Sequence, residues 1–454
     1  MKKSSIVFLI IFLFIFIFLI KLSFPLTLTQ SWNATTFTLG YEIDSIDYEQ
    51  SGVRNYTVVC DTLQADIVKV HSPTGTNVKN SSVLTLNSDN PVCALKVFKN
   101  SSNTIYKNVY VAGVNNVYVL DMVTGGIVCT SALDTSITQG QGQSRLIDYY
   151  GDGTPSEFMF VKTNIQIFNE TCGNVLKVNV GSNSQSGAKV GDTDNDGYDD
   201  EIGVLNQTDS TGGRFRNLLV YNKTGSILWS KPITALTSAR YFALEIANIT
   251  TDAGDEVVTF YSYSGNTNIS FFDWLGNQLG NYRTSATQYL SGEVLIGDFD
   301  SDGIEDDVVG IAGSNYDEYT LAVQITAITN TGSLLWQTNT SINAEVTDAS
   351  YGDVDNDGKK EIIIGTNNET NTLIIINESG SVIDSTISAP WSVGNQLTSG
   401  ASILLNDINN NSIKEIIFIS ENSGIYVYEA IIDITAPNVN ITYPINNSNL
   451  SSAT

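Results

Sequence analysis

Positive charge is scarce in this sequence: its 454 residues carry only 22 Lys and Arg against 48 Asp and Glu, for a net charge of −26. With no basic stripe to meet a phosphate backbone, nucleic acid is excluded as a partner. Histidine is scarcer still, a single residue at position 71 beside Ser72 and Pro73. A Ser-His-Asp triad or a His-rich metal site would have to rest on that residue, which is expected on a surface turn. No G-x-S-x-G, H-E-x-x-H or glycine-rich phosphate loop occurs, so the chain reads as a non-enzyme. Helical periodicity is also missing: between residues 30 and 434 no amphipathic helix of useful length is written into the sequence, which predicts an all-β fold.

Cysteine is limited to Cys60, Cys93, Cys129 and Cys172, none in C-x-x-C spacing, which argues against a zinc or redox site. An even count in an exported chain predicts disulfides, with three pairings open; the sequential one, Cys60–Cys93 and Cys129–Cys172, is preferred. Export is read from residues 1–28, where Met1, Lys2 and Lys3 precede an unbroken apolar run from Ile6 to Ile20. This is either a cleaved signal peptide or a retained signal anchor, an apolar helix that would tie the protein to the membrane. Sequons at Asn33, Asn169, Asn206, Asn222, Asn339, Asn368 and Asn440 fit an extracellular glycoprotein.

Against this background the acids are not spread evenly. Three segments are near-copies, GDTDNDGYDDEI at 191–202, GDFDSDGIEDDV at 297–308 and GDVDNDGKKEI at 352–362. Each is D-x-D-x-D-G-x-x-[D/E] leading into an apolar run. Weaker copies start at Asp47, Asp148, Asn248 and Asp407, and a barely readable one at Asn100. The successive first positions are 53, 48, 44, 56, 50, 55 and 54 residues apart. A period near fifty filled with short strands predicts a β-propeller of four-stranded blades spanning 29–434. Counting copies gives eight blades, with seven the alternative because of Asn100. Recurring turns before the fourth strand, Asn222 to Gly225 ahead of Ile227, Asn330 to Gly332 ahead of Leu334 and Asn377 to Gly380, supply the positive φ of hairpins. Residues 31–35 are placed to complete the last blade beside 426–434. Residues 435–454, interrupted by Pro437 and Pro444, read as a linker or the opening of an immunoglobulin-like module, and the chain as a truncated reading frame, so that a missing C-terminal region is a second route to surface anchoring.

Calcium takes 6–8 oxygen ligands, and alternate residues of a tight loop present their oxygens to one side. Asp192, Asp194 and Asp196, the carbonyl of Tyr198 and the carboxylate of Asp200 form one expected set. Asp298, Asp300, Asp302, Ile304 and Asp306 form the second, and Asp353, Asp355, Asp357, Lys359 and Glu361 the third. Weaker candidates are Asp407, Asn409, Asn411 and Glu415, and Asp47, Glu49 and Asn55. An EF-hand is excluded, because its position 12 requires Glu and falls here on Gly203, Val309 or Ile364.

With these loops, residues 36–434 resemble the FG-GAP/VCBS repeat family, which includes integrin α-subunit propellers and many microbial surface proteins. The resemblance implies a calcium-stabilised propeller, secreted or on the cell surface, used in adhesion, ligand binding or display, with an extracellular protein or glycan as partner. A lectin-like propeller using Tyr316, Tyr319 and Trp391 is the alternative. A quinoprotein-type enzyme is the remaining one, although Trp229 and Trp336 read better as blade-packing anchors.

Overall fold

In the computed structural model, residues 27–431 are described except 35–42, 62–66, 85–93, 100–104, 114, 134–142, 162–163, 181–185, 208–214, 236–241, 252–253, 264–265, 285–290, 317–318, 369–372, 386, 388–402 and 421–423. The expected signal segment and the 435–454 module lie outside them. Among the described residues every regular element is a strand.

The strands pair into eight four-stranded antiparallel sheets. Seven are contiguous in sequence: blade 1 spans 43–80, blade 2 94–132, blade 3 143–179, blade 4 186–235, blade 5 242–284, blade 6 291–343 and blade 7 346–384. Their strands are called A to D in chain order. The A strands of successive blades adjoin one another, and that of blade 8 (Ile403–Asn406) adjoins that of blade 1 (Ile43–Ile46), so the ring is closed around the A strands. Blade 8 takes strands A to C from 403–431 and its outermost strand from Thr27–Ala34. The architecture is an eight-bladed β-propeller, within the compact unit Leu28–Ala430.

Sequence patterning follows position in the blade. Strands B and C face neighbouring blades on both sides and are mostly apolar: in blade 7, Glu361–Thr366 and Leu373–Ile376 are buried at every residue. A continuous run of β-branched residues suits a strand covered on both faces. Outer strands alternate instead, as in Leu334–Asn343, whose exposed and covered residues take turns. The apolar clusters form between blades rather than within them. Val58 and Val70 of blade 1 pack with Val97 and Val109 of blade 2, and Ile43 and Val59 of blade 1 with Ile417 and Val427 of blade 8.

The outer strands lock onto the next blade's C–D turn. A Cβ at Gly380 would fall 2.5 Å from Trp336 of blade 6, and one at Gly276 would fall 2.7 Å from Trp229 of blade 4. Both turns need Gly twice over, for φ of +81° and +77° and for room. Trp229 Nε1 also donates to the carbonyl of Trp274, 2.9 Å away in blade 5. Both Trp residues are thus interblade anchors. Between blades 2 and 3 the same contact is covalent: Cys129 and Cys172 form a disulfide with Cα atoms 5.8 Å apart. Cys60 is also disulfide-bonded, and Cys93 lies outside the described residues.

One expectation is corrected. His71 is not on a surface turn but ends strand C of blade 1 (Ile67–His71), 2% exposed, with Nδ1 3.1 Å from the carbonyl of Gly75. Burial lowers its pKa, so the imidazole stays neutral.

Candidate metal loops on one face of the ring

All the recognised acidic segments among the described residues occupy one structural position, the loop joining strands A and B. The copy at Asn100 lies outside the described residues. Because each sheet is a simple antiparallel succession, the A–B loops and the C–D turns emerge on the same face of the ring.

Position 1 is explained by backbone chemistry. In the blade 4 and blade 6 loops its carboxylate accepts N–H bonds from the residues four and five further on, Asp192 from Asp196 and Gly197, both at 2.9 Å, and Asp298 from Asp302 at 3.1 Å and Gly303 at 3.0 Å; in blade 7 Asp353 accepts only from Gly358, at 3.0 Å. The weak loops make both bonds, Asp47 with Ser51 and Gly52, Asp148 with Asp152 and Gly153 and Asp407 with Asn411 and Ser412. This bond closes the loop and needs no cation. Two left-handed residues then turn the chain. Position 4 is Gln50, Gly151, Asn195, Ser301, Asn356 or Asn410, and position 6 is Gly52, Gly153, Gly197, Gly303, Gly358 or Ser412, all at positive φ.

A second acid recurs at the start of strand B, and fixed-spacing reasoning named it only in blades 7 and 8, as Glu361 and Glu415. Glu157, Glu201, Glu256, Asp307, Glu361 and Glu415 are each at most 2% exposed. Each accepts the backbone N–H of loop position 2, for example Thr193 to Glu201 at 3.0 Å, Phe299 to Asp307 at 2.9 Å and Ile408 to Glu415 at 2.8 Å. In blades 3, 4 and 6 this acid is position 10, one beyond the expected ligands Asp200 and Asp306; in blade 7 it coincides with Glu361. The recurring acid immediately before a Val, Ile or Phe run was the available signal.

Positions 3 and 5 complete the clusters. Ligand oxygens of Asp192, Asp194 and Glu201 lie within 4.8 Å of one another, as do those of Asp298, Asp300 and Asp302 and those of Asp353, Asp355 and Asp357. Two oxygens held at about 2.4 Å by one calcium ion can be no further apart than about this distance. Asp196 is not in the first triple; it and Asp200 instead hold Lys223 Nζ at 3.4 and 2.7 Å. The position-7 residues Tyr198, Ile304 and Lys359 each donate their N–H to the position-5 carboxylate, and the Tyr198 carbonyl accepts from Asp200 N at 2.9 Å. Among the weaker candidates, Asn409 donates to Glu415, Glu49 accepts the Tyr56 hydroxyl at 2.6 Å, and Asn55 Oδ1 is buried without a hydrogen-bond partner.

The donor set suits a hard divalent cation, being oxygen throughout. It also has vacancies of the right kind: Asp353 Oδ1, and Oδ1 of the fully buried Asp200, have no hydrogen-bond partner. Crowding of acids shows in their proton affinities. Burial, then neighbouring carboxylates, push Glu361 up to about 8, and Glu201 is raised by burial and by the Asp200 carboxyl beside it. Asp194 and Asp355 are raised as well, by burial first and then by Asp196 and Asp357 respectively. In the degenerate blade 5 loop a neutral bond replaces this repulsion, Thr250 Oγ1 to Glu256 at 2.8 Å. The lectin candidates Tyr316 and Tyr319 pair across the B–C hairpin of blade 6, on the other face, and Trp391 lies outside the described residues.

No protein-family model matches the chain, and no curated protein matches it. Solved structures do. The crystal structure of Saccharomyces cerevisiae Sqt1 is similar at 11% identity and a TM-score of 0.57, covering 88% of this chain and 98% of that one. BBS1N in complex with ARL6DN, soaked with mercury, gives 10% identity, a TM-score of 0.46 and coverage of 90% and 99%. The V. cholerae biofilm matrix protein Bap1 gives 12%, 0.39, 86% and 77%. At these identities the likeness to Sqt1 concerns the fold alone, and that fold is the propeller.

Proposed function

We propose that this chain is an FG-GAP/VCBS-type propeller whose A–B loops bind calcium, and that it serves outside the cell as a non-catalytic scaffold for adhesion, ligand binding or display. The supporting observation is the repeated carboxylate triple, each within 4.8 Å, at one structural position in blades 4, 6 and 7. Turn chemistry accounts for position 1, and at position 3 Asp300 and Asp355 also accept the position-5 N–H. A neutral Asn409 makes that same bond in blade 8, so the turn does not require the charge there, and like charges this close repel unless a cation joins them. Extracellular calcium modules bind with Kd on the order of 10⁻⁴–10⁻³ M, which matches a millimolar external pool and fits export by the 1–28 segment.

A ligand that binds only the folded state stabilises it in proportion to RT ln(1 + [L]/Kd). Chelation should therefore lower the melting temperature by several degrees, and millimolar calcium should restore it. In the triple variant Asp194→Ala, Asp300→Ala, Asp355→Ala the calcium-dependent shift should vanish. Asp148→Ala, which removes only the loop-closing acceptor of Asp152 and Gly153, should cost about 1 kcal/mol and leave the shift intact. A melting curve indifferent to chelator would defeat this reading.

A further inference from the structure

In blades 4, 6 and 7 the C–D turn reaches the acidic loop of its own blade with a residue whose charge differs from blade to blade. In blade 4 it is Lys223, with Nζ 2.7 Å from Asp200 Oδ2 and 3.4 Å from Asp196 Oδ2. In blade 6 it is Asn330, whose Nδ2 donates to Asp306 Oδ2 at 2.7 Å. Blade 7 places Glu378 there, near enough to Asp355 for their charges to interact and paired with Lys359. In blade 8 the neighbour of the loop is Glu429, on strand C itself, which accepts from Asn411 Nδ2 at 2.6 Å and Asn409 Nδ2 at 3.2 Å.

We propose that this turn residue grades the calcium affinity of its blade: Lys223 is a tethered cation that competes with calcium in blade 4, Asn330 is neutral in blade 6, and Glu378 supplies an additional carboxylate in blade 7. The proposal rests on the calcium reading above. Asp200 points independently to a ligand at the blade 4 loop. It is fully buried, Lys223 engages only Oδ2, and Oδ1 has no hydrogen-bond partner. The ammonium thus satisfies half of a carboxylate and carries half the charge of a divalent ion. Calcium entering this loop must expel the ammonium first, which a flexible four-carbon stem permits but which weakens apparent binding. In blade 7 the sign is reversed: the Glu378 carboxylate pairs with Lys359 and so keeps that lysine from competing at the loop acids, and a carboxylate beside a hard cation site raises its affinity. The order of affinity is therefore blade 7, then blade 6, then blade 4. Blade 4 also keeps its loop neutralised when calcium is absent.

Calorimetric titration of the purified full chain with calcium chloride at low salt tests this. Wild type should show unequal sites, the weakest at least about tenfold weaker than the tightest. Lys223→Met should tighten the weakest class about tenfold and leave the others unchanged; Lys223→Gln, which keeps a donor on a similar stem, should act alike if the methionine variant misfolds. Glu378→Gln should weaken the tightest class about tenfold. Lysine and glutamate variants that titrate as wild type does, while Asp194→Ala, Asp300→Ala, Asp355→Ala abolishes uptake, would overturn the grading and leave the calcium reading standing. A wild type that takes up no millimolar calcium would overturn both.

Discussion

At the scale of single residues, backbone conformation explains more of the loop sequence than side-chain contact does. A Cβ at Gly358 would meet nothing within 4 Å, yet φ there is +86°, so the glycine answers a conformational demand. Gly358→Ala should cost about 1 kcal/mol in calcium and in chelator alike, read from denaturant melts. Ser301 at φ +65° bears the same strain. Glu293 on strand A of blade 6 is a different case. It retains some exposure but sits inside the ring, where burial and then Asp348 raise its pKa to about 7, with Glu245 adding to the rise and Lys189 and Arg145 opposing it. A folded-state pKa above the unfolded one means the native protein holds a proton that the unfolded chain has released. Stability then falls as pH rises from about 4.5 to about 7. Glu293→Gln should flatten that part of the stability profile and gain about 1–2 kcal/mol at pH 8, after discounting for its partial exposure.

At the scale of elements, the blade edge shows how neighbouring sheets are held. Trp336 of strand D meets Gly380 of the next blade, and Trp229 meets Gly276. Trp336→Ala should therefore lower stability by about 2 kcal/mol through the seam between blades 6 and 7, without altering calcium uptake. The loops were legible because D-x-D-x-D-G repeats in fixed order, and every copy among the described residues joins strands A and B. The buried acid at the head of strand B was named at Glu361 and Glu415 but missed at Glu157, Glu201 and Asp307, because it slips between positions 9 and 10 and a fixed-spacing template follows only one. Lys223, Asn330 and Glu378 were missed for another reason. Each lies about twenty residues or more along the chain from the acids it meets, so only the pairing of strands B and C brings them together. Asp196 shows the limit of position-by-position transfer: the same place in the motif that joins the triple as Asp302 and Asp357 instead meets a lysine.

At the scale of the whole molecule, blade count followed from the period of the repeat, since one loop per blade makes eight copies eight sheets. The closing strand was expected over 31–35 and lies at Thr27–Ala34, paired in the sheet order with Gly424–Ile431. Removing residues 27–34 would uncover that strand's edge. The shortened chain should melt several degrees lower and associate at rising concentration, as followed by light scattering, because an unpaired edge accepts a second chain. The same closure also sets a timetable. The strand nearest the amino terminus leaves the ribosome first, yet its partner is made only about four hundred residues later, which at roughly 5–20 residues per second is a wait of tens of seconds. During that interval seven blades can form in order while the first strand remains single, so a prematurely released chain would betray itself by an incomplete final sheet.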